Sequence, residues 1–399
     1  MSVTLRTANP ADEAGLSELL ESAFERPDRE SHFVQLLAAH HPNFDPGLSL
    51  VADSDGEMSG YALFLPREIL IRGVRVPLAV AAPLGVPPQF RGRGIGRALV
   101  STGLAALADR GLRGAIAIGA PDYYGDLGFA SAFDLHVVDA RTENLPAPDE
   151  GAGWRAITSE DLEALGRLQE ESYEHASGTE HRLACPIEWD GQAPGSHALT
   201  IGAPGDPHAY LRFRVREELE VMECCANDAD SVRAILAFIH RLIQEHGRAR
   251  ALVHVPPETR TSTTLLHRGA ILEHTTFGGG SMLAITDLPG LMEDLAPWWA
   301  PVLGESSFSI GFAGSPCRLD ASGSAPRVTE GRAKHHLEVP SPALPGLLTG
   351  QRSARELLFD PVVRHQSGLS PEGQALACRL FPRNSSMWTY SPAFELVDA

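Results

Sequence analysis

The 399-residue chain carries 51 acidic against 33 basic residues, a net charge of −18, with 43% hydrophobic and 21% charged residues. That is ordinary globular usage, which excludes a wholly disordered or fibrous chain, and the length is enough for about two to four domains. So acidic a chain repels a phosphate backbone, so no nucleic-acid partner is expected and a cationic one is easier to accommodate.

Of the 33 basic residues only Lys334 is a lysine, and it lies in Gly-Arg-Ala-Lys-His-His. A G-x-x-x-x-G-K-[ST] phosphate loop is therefore ruled out. Five cysteines (Cys185, Cys224, Cys225, Cys317, Cys378) form no C-x-x-C pair and suit reduced thiols better than a disulfide framework. The first residues, Met1 to Arg6, lack the apolar core of a signal peptide, and no run approaches the roughly 18 apolar residues of a membrane span. A cytoplasmic protein with no membrane span is expected.

In chain order, Val3–Arg6 reads as a strand, and the spacing of Ala14, Leu16, Leu19 and Leu20 predicts a helix over 11–23. Leu48–Asp53 and Met58–Pro66 flank Ser54-Asp55-Gly56 as a hairpin, and Glu68–Arg72 pairs with Val74–Leu78 around Gly73. Ala79–Val86 is a continuous apolar strand. Ile95–Asp109 has helical spacing through Ala98, Leu99, Leu104 and Leu107, and Ala115–Ile118 is another buried strand. Arg141–Gly153 reads as a linker.

From Trp154 the order begins again. A helix (Glu160–Ser172) precedes strands near His197–Ile201, Ala209–Val215 and Leu219–Cys225, then a helix (Asp230–His246) and a strand (Ala249–Val255). This repetition suggests a diverged duplication. Past Ser281, strands are predicted at Phe308–Phe312, Cys317–Asp320 and His336–Val339, followed by short helices Ser341–Leu348 and Ser353–Leu358 around Gly350. The expected architecture is α+β (mixed α/β), with domains over 1–145, 154–285 and 290–399.

The most informative stretch runs from Leu84, Gly85 and Val86 through Gln89-Phe90-Arg91-Gly92-Arg93-Gly94-Ile95-Gly96-Arg97. An apolar strand enters a glycine-rich turn that opens a helix. Glycines let the backbone approach a bulky anion, successive N–H groups at a helix N-terminus favour negative charge, and Arg91, Arg93 and Arg97 add to it. A pyrophosphate cradle is expected. It is not a dinucleotide fingerprint: Arg97 stands where the third glycine of G-x-G-x-x-G belongs, and no acidic residue ends the strand Ala115–Ile118 to hold a ribose.

Gln89-x-x-Gly92-x-Gly94 resembles the Q/R-x-x-G-x-G/A motif of the GNAT acyltransferases, and Pro121-Asp122-Tyr123-Tyr124-Gly125-Asp126-Leu127-Gly128-Phe129 resembles that fold's tyrosine-containing segment. Over nearly its full length the chain is similar to the Eis-like (enhanced intracellular survival) acetyltransferases. These join an active GNAT domain, a degenerate GNAT-like domain without the phosphate loop, and a smaller sterol-carrier-protein-like C-terminal domain. Residues 154–280 contain no Q-x-x-G-x-G, and Leu344 to Ala354 resembles the helix–glycine–helix segment of the third domain.

The resemblance implies an acetyl-CoA-dependent N-acetyltransferase without a metal, acting by direct transfer to a primary amine of a cationic small molecule or peptide. Backbone groups of Leu84, Gly85 and Val86 would pair with the pantetheine arm. Gly92 to Arg97 would hold the pyrophosphate, and Gly119 and Ala120 would lie near the acetyl group. Tyr124 aligns with the general acid, with Tyr123 as its rival. In the Eis-like group the terminal carboxylate reaches the site. Here Phe394 matches the usual end and Glu395-Leu396-Val397-Asp398-Ala399 follows, so Ala399, Glu395, Asp398 or a water is left as base. The group also forms larger assemblies, which makes a homo-oligomer an expectation. The altered tail supports a second reading, a non-catalytic scaffold that binds acyl-CoA or a lipid-like ligand.

Glu18, Glu21, Glu25, Asp28 and Glu30 concentrate charge where a GNAT acceptor would enter. They read first as a solvated helix face, and second as attraction for a polyamine, aminoglycoside or lysine peptide. His40-His41, His335-His336 and His175/His181 match no metal spacing. Cys224-Cys225 reads as strand packing, and Trp298-Trp299 as an ordinary core or interdomain contact rather than the wall of a lipid cavity.

Overall fold

The computed structural model describes residues 3–24, 29–149, 153–189, 195–276, 281–312, 315–321 and 326–389. The chain divides into two compact units, one of residues 1–38, 42–133 and 278–386, the other of residues 39–41, 134–277 and 387–399.

The first unit begins with β1 (Val3–Thr7), α1 (Glu13–Phe24) and α2 (Arg29–His40). It continues through β2 (Ser49–Ser54), β3 (Glu57–Ile71), β4 (Val74–Gly85), α3 (Ile95–Ala108), β5 (Gly114–Ile118), α4 (Pro121–Gly125) and β6 (Ala130–Ser131). The four strand segments expected between Met58 and Val86 are two long strands, β3 and β4, joined by the tight turn at Arg72-Gly73. Both are buried on two faces at mid-length, where alternation disappears from the sequence. α3 packs Leu99, Val100 and Leu107 into the core shared with Leu50, Phe64, Ala79 and Ala115. Apolar area removed from water at about 25 cal/mol per Å² supplies the main stabilising term there.

In the second unit, β7 (Leu135–Arg141) and β8 (Arg155–Ala156) precede α5 (Leu162–Tyr173), β9 (Ser177–Glu180), β10 (Ser196–Ala203), β11 (Asp206–Val215) and β12 (Leu219–Ala226). Then come α6 (Ala229–Glu245), β13 (Arg250–His254), α7 (Arg260–His267) and β14 (Ile271–Thr276). The chain returns to the first unit with β15 (Ser281–Ile285).

The two sheets share one strand order. The first reads β1-β2-β3-β4-β5-β15-β6, and the second, from its own edge, β8-β10-β11-β12-β13-β7-β14. In each, a strand leads through a helix to a parallel neighbour, β4–α3–β5 in one and β12–α6–β13 in the other. The sixth place in each sheet is filled from the opposite stretch of chain: β15 pairs β5, and β7 pairs β13. The compact units therefore do not follow boundaries at 145 and 285. A short apolar run shows that a strand forms but not which sheet receives it.

The remaining elements of the first unit are α8 (Leu288–Leu303), β16 (Ser307–Phe312), β17 (Ser315–Asp320), β18 (Arg327–Glu330) and β19 (His335–Glu338), with α9 (Leu344–Thr349), α10 (Ala354–Leu357), α11 (Pro361–Ser367) and α12 (Pro371–Leu380). Their sheet runs β18-β17-β16-β19. Gly350, in left-handed conformation, ends α9, as the helix–glycine–helix reading expected. Trp299 is fully buried beside Phe381, its indole N–H donating to the Leu380 carbonyl at 3.0 Å, so it is core.

Two arginines tie this part to the first sheet. Arg72, buried at the β3–β4 turn, donates to the carbonyls of Leu348 (2.8 Å), Leu347 (3.0 Å) and Pro382 (3.0 Å). Arg113, just before β5, holds Asp287 at 2.6 Å and Asp294 at 2.7 Å on and beside α8.

Candidate active site

Among the described residues two pairs join β4 to β5, Ala79 with Ala115 and Val80 with Ile116. Beyond them β4 runs on to Gly85 and β5 to Ile118 without further β4–β5 pairing among the described residues. The parallel strands diverge, so that Leu84–Val86 and Ala117–Ile118 make no ladder with each other, and of these groups the Val86 carbonyl accepts from Arg91.

The turn that follows β4 sits at the mouth of this divergence. Gly92 (φ 74°) and Gly94 (φ 78°) adopt left-handed conformations, and a Cβ on either would meet open space rather than protein. Both needs, the backbone conformation and an unobstructed approach, select glycine. The first α3 hydrogen bond runs from the Ala98 amide to the Gly94 carbonyl at 2.9 Å. Among the described residues, the amides of Gly92, Gly94, Ile95, Gly96 and Arg97 donate to no acceptor. The helix N-terminus thus presents several N–H donors and the positive end of a 14-residue dipole.

These groups border a cleft of about 580 Å³ lined by Ala23, Phe24, Leu84, Val86, Phe90, Arg91, Gly92, Gly94, Ile95, Gly96, Arg97, Tyr123 and Tyr124. Nine of the expected site residues meet there. Gly85 lies beneath Leu20, Ala23 and Phe24 of α1, and Arg93 stacks over the Phe90 ring at 5.5 Å. The arginines differ from the sequence reading. Arg91 donates to the carbonyls of Val86 (3.0 Å) and Ala23 (2.8 Å), and Arg97 to the carbonyl of Asp126 (2.9 Å) and its carboxylate (3.3 Å). Both hold the loop against α1 and α4, and Arg93 is exposed beside the same backbone amides.

Tyr124 lies on the five-residue α4, which Pro121 starts. Only 8% exposed, it packs edge-on to Tyr123 at 5.2 Å and Phe129 at 5.3 Å, and its hydroxyl has no hydrogen-bond partner among the described residues. Burial, with a smaller contribution from Tyr123, pushes its pKa up to about 12. Gly119 and Ala120 shape this position rather than line the cleft. The Tyr124 ring crosses Gly119 where a side chain would collide, and the Ala120 carbonyl accepts the Tyr124 amide at 3.1 Å. Tyr123 is 42% exposed, with its hydroxyl against Gly96. Sequence reasoning did not single out Phe24, Ala23 or Phe90 as walls, because an apolar residue beside a turn carries no sign of what it faces.

Of the acidic group, Glu18 is exposed, Glu21 half-buried and Glu30 buried, so Glu30 is not part of a solvated face. Glu25 and Asp28 lie outside the described residues, as do Phe394, Glu395, Asp398 and Ala399. The described lining of the cleft includes no carboxylate or histidine.

The corresponding place in the second unit is closed from within. β12 and β13 also pair briefly, from Leu219–Ala251 to Val221–Val253. There, however, Tyr173 exchanges hydrogen bonds with the Cys224 backbone at 3.0 and 3.3 Å, and Ser172 with that of Ala226. The N-terminus of α6 is capped by the Asp228 carboxylate, which accepts the Ser231 amide at 2.7 Å. Cys224 and Cys225 are buried, and burial raises both thiols. They are packing residues, as expected.

Among the described residues no group of three or more His, Cys, Asp or Glu is arranged to hold a metal ion. His41 pairs with Glu188 at 2.6 Å, and His336 with Ser309 at 2.8 Å. No described helix is long and apolar enough to cross a membrane.

The family description "Acetyltransferase (GNAT) domain" matches residues 4–132. The uncharacterized N-acetyltransferase YhbS of Escherichia coli K12 is 33% identical over 132 residues, which is 32% of this chain and 74% of the relative. At the level of fold, a GCN5-related N-acetyltransferase from Anabaena variabilis aligns with TM-score 0.77 at 17% identity, over 97% of this chain and 99% of that one. Eis1 from Mycobacterium abscessus aligns with TM-score 0.66 at 17% identity, over 98% and 99%. The diverging β4–β5 pair, the open turn before α3 and these similarities converge on one assignment: the chain belongs to the GNAT family of acetyltransferases and is an N-acetyltransferase.

Proposed function

We propose that the cleft binds acetyl-CoA and that the chain transfers its acetyl group directly to a primary amine of a cationic small molecule or peptide. The observation that carries this reading is the set of amides at Gly92, Gly94, Ile95, Gly96 and Arg97, unused among the described residues, at the open end of the β4–β5 divergence. In it, the edge of Leu84 to Val86 pairs with the pantetheine arm as a further strand would, and the α3 amides take the diphosphate. Acetyl-CoA supplies an activated thioester.

Tyr124 acts as the general acid. With its pKa raised, the phenol keeps its proton at neutral pH and can give it to the departing thiolate. The amine has an ordinary pKa of about 10 and must lose a proton before attack. No side chain lining the described cleft is suited to accept it, so water or the C-terminal segment ending at Ala399 takes that role.

We further infer the three-part Eis-like organisation over 1–145, 154–285 and 290–399, with β7 and β15 exchanged. The shared strand order supports the duplication, and the turn at Gly350 supports the sterol-carrier-like part. The internal closure at Tyr173, Ser172 and Asp228 supports a second GNAT-like part that binds no coenzyme.

The test is thiol release from acetyl-CoA across a panel of aminoglycosides, polyamines and lysine peptides, with calorimetric titration of CoA alongside. Turnover with at least one amine and one CoA per chain are expected. CoA binding with no thiol release from any amine would favour the non-catalytic reading, and two CoA per chain would contradict a closed second part.

A further inference from the structure

We propose that Tyr123 is a coenzyme-binding residue, its phenol hydroxyl donating a hydrogen bond to the diphosphate held at the α3 N-terminus. This deepens the acetyl-CoA reading and rests on it. The two neighbouring tyrosines of α4 point to different work. Tyr124 is nine-tenths buried, with an unpartnered hydroxyl and its ring over Gly119. Tyr123 turns the other way. Its ring stays 42% exposed, and its hydroxyl rests against Gly96, the second residue of α3, beside amides that lack acceptors.

A side chain at Gly96 would run into that hydroxyl, so the glycine leaves room for Tyr123 to reach the helix end. The phenol oxygen can accept from an amide, but its hydrogen has no acceptor among the described residues. A phosphate oxygen on the same amides supplies one, and hydrogen bonds to charged acceptors are the stronger kind. Partial burial keeps the phenol protonated and able to donate, while Arg97 pulls weakly the other way.

The test is equilibrium binding of CoA and of 3′-dephospho-CoA to the wild type, Tyr123→Phe and Tyr124→Phe, read by calorimetry. Tyr123→Phe is expected to weaken both ligands by the same factor, roughly tenfold or more. Tyr124→Phe is expected to leave both within about twofold, since a phenol acting on the leaving sulfur adds little to ground-state affinity. A Tyr123→Phe protein that binds like the wild type overturns the assignment. So does a loss that disappears with 3′-dephospho-CoA, which would place the hydroxyl on the 3′-phosphate. If the wild type binds neither ligand, the acetyl-CoA reading itself fails. Because Tyr123 is half exposed and Phe keeps its ring, the variant should fold, and an unchanged unfolding midpoint verifies that.

Discussion

Tyr124→Phe is expected to lower kcat by about 10²-fold or more while the KM for acetyl-CoA stays within about twofold, the usual scale for losing a positioned general acid. The effect is in kcat because the proton is needed only as the carbon–sulfur bond breaks. The pH dependence follows from the raised pKa. The donating form exists below the pKa, and burial has moved that limit up to about 12, so Tyr124 contributes no alkaline fall-off across the working range. Activity should instead rise with pH as the acceptor amine loses its proton. Steady-state kinetics from pH 6 to about 10 test this. A Phe variant with undiminished kcat, or a wild-type alkaline limb near the ordinary phenol value of about 10, would remove Tyr124 from the mechanism.

Arg72→Ala should cost about 3–5 kcal/mol of stability without altering the affinity of the folded protein for CoA. Arg72 is 2% exposed, and burial pulls its pKa down, so its charge is held at a cost. What holds it is the C-terminus of α9, where Leu347 and Leu348 have carbonyls with no partner inside the helix, together with the Pro382 carbonyl and the face of Trp298 at 5.3 Å. Truncation leaves three carbonyls to be satisfied in a buried place. Lysine keeps the charge but not the planar fork, so Arg72→Lys should recover less than half of the loss. Denaturant titration measures both variants, and an Arg72→Ala protein within about 1 kcal/mol of the wild type would show that α9 does not depend on this cap.

The fold class and the turn before α3 were legible in the sequence, and the pairing of strands across the two sheets was not. Gly92 and Gly94 announce the turn because only glycine suits both its left-handed backbone and an open approach. Pro121 to Phe129 marked a tyrosine-containing segment by resemblance, and that Tyr124 sits on a short helix started by Pro121 is seen only in the structure. The roles of Arg91 and Arg97 were not legible. A positive charge near an anion cradle carries no sign in sequence of the contacts it also makes with the fold, here with the carbonyls of Val86, Ala23 and Asp126. Glu30 looked like a surface charge because composition carries no information on burial. The exchange of β7 and β15 was invisible for a related reason: both are short apolar runs that fit either sheet, and the choice between sheets is made by long-range packing.

Amide hydrogen exchange with and without CoA tests most directly whether the turn before α3 grips the diphosphate. Gly92 and Gly94 to Arg97 should exchange quickly in the free protein, since their amides have no internal acceptor among the described residues, and residues 92–97 should become the most strongly protected segment when CoA is bound. The region around Asp228 to Ser231 should be unaffected, because its helix end is already capped. Saturating CoA that leaves 92–97 unprotected, or that protects the start of α6 instead, would contradict the assignment of this cleft.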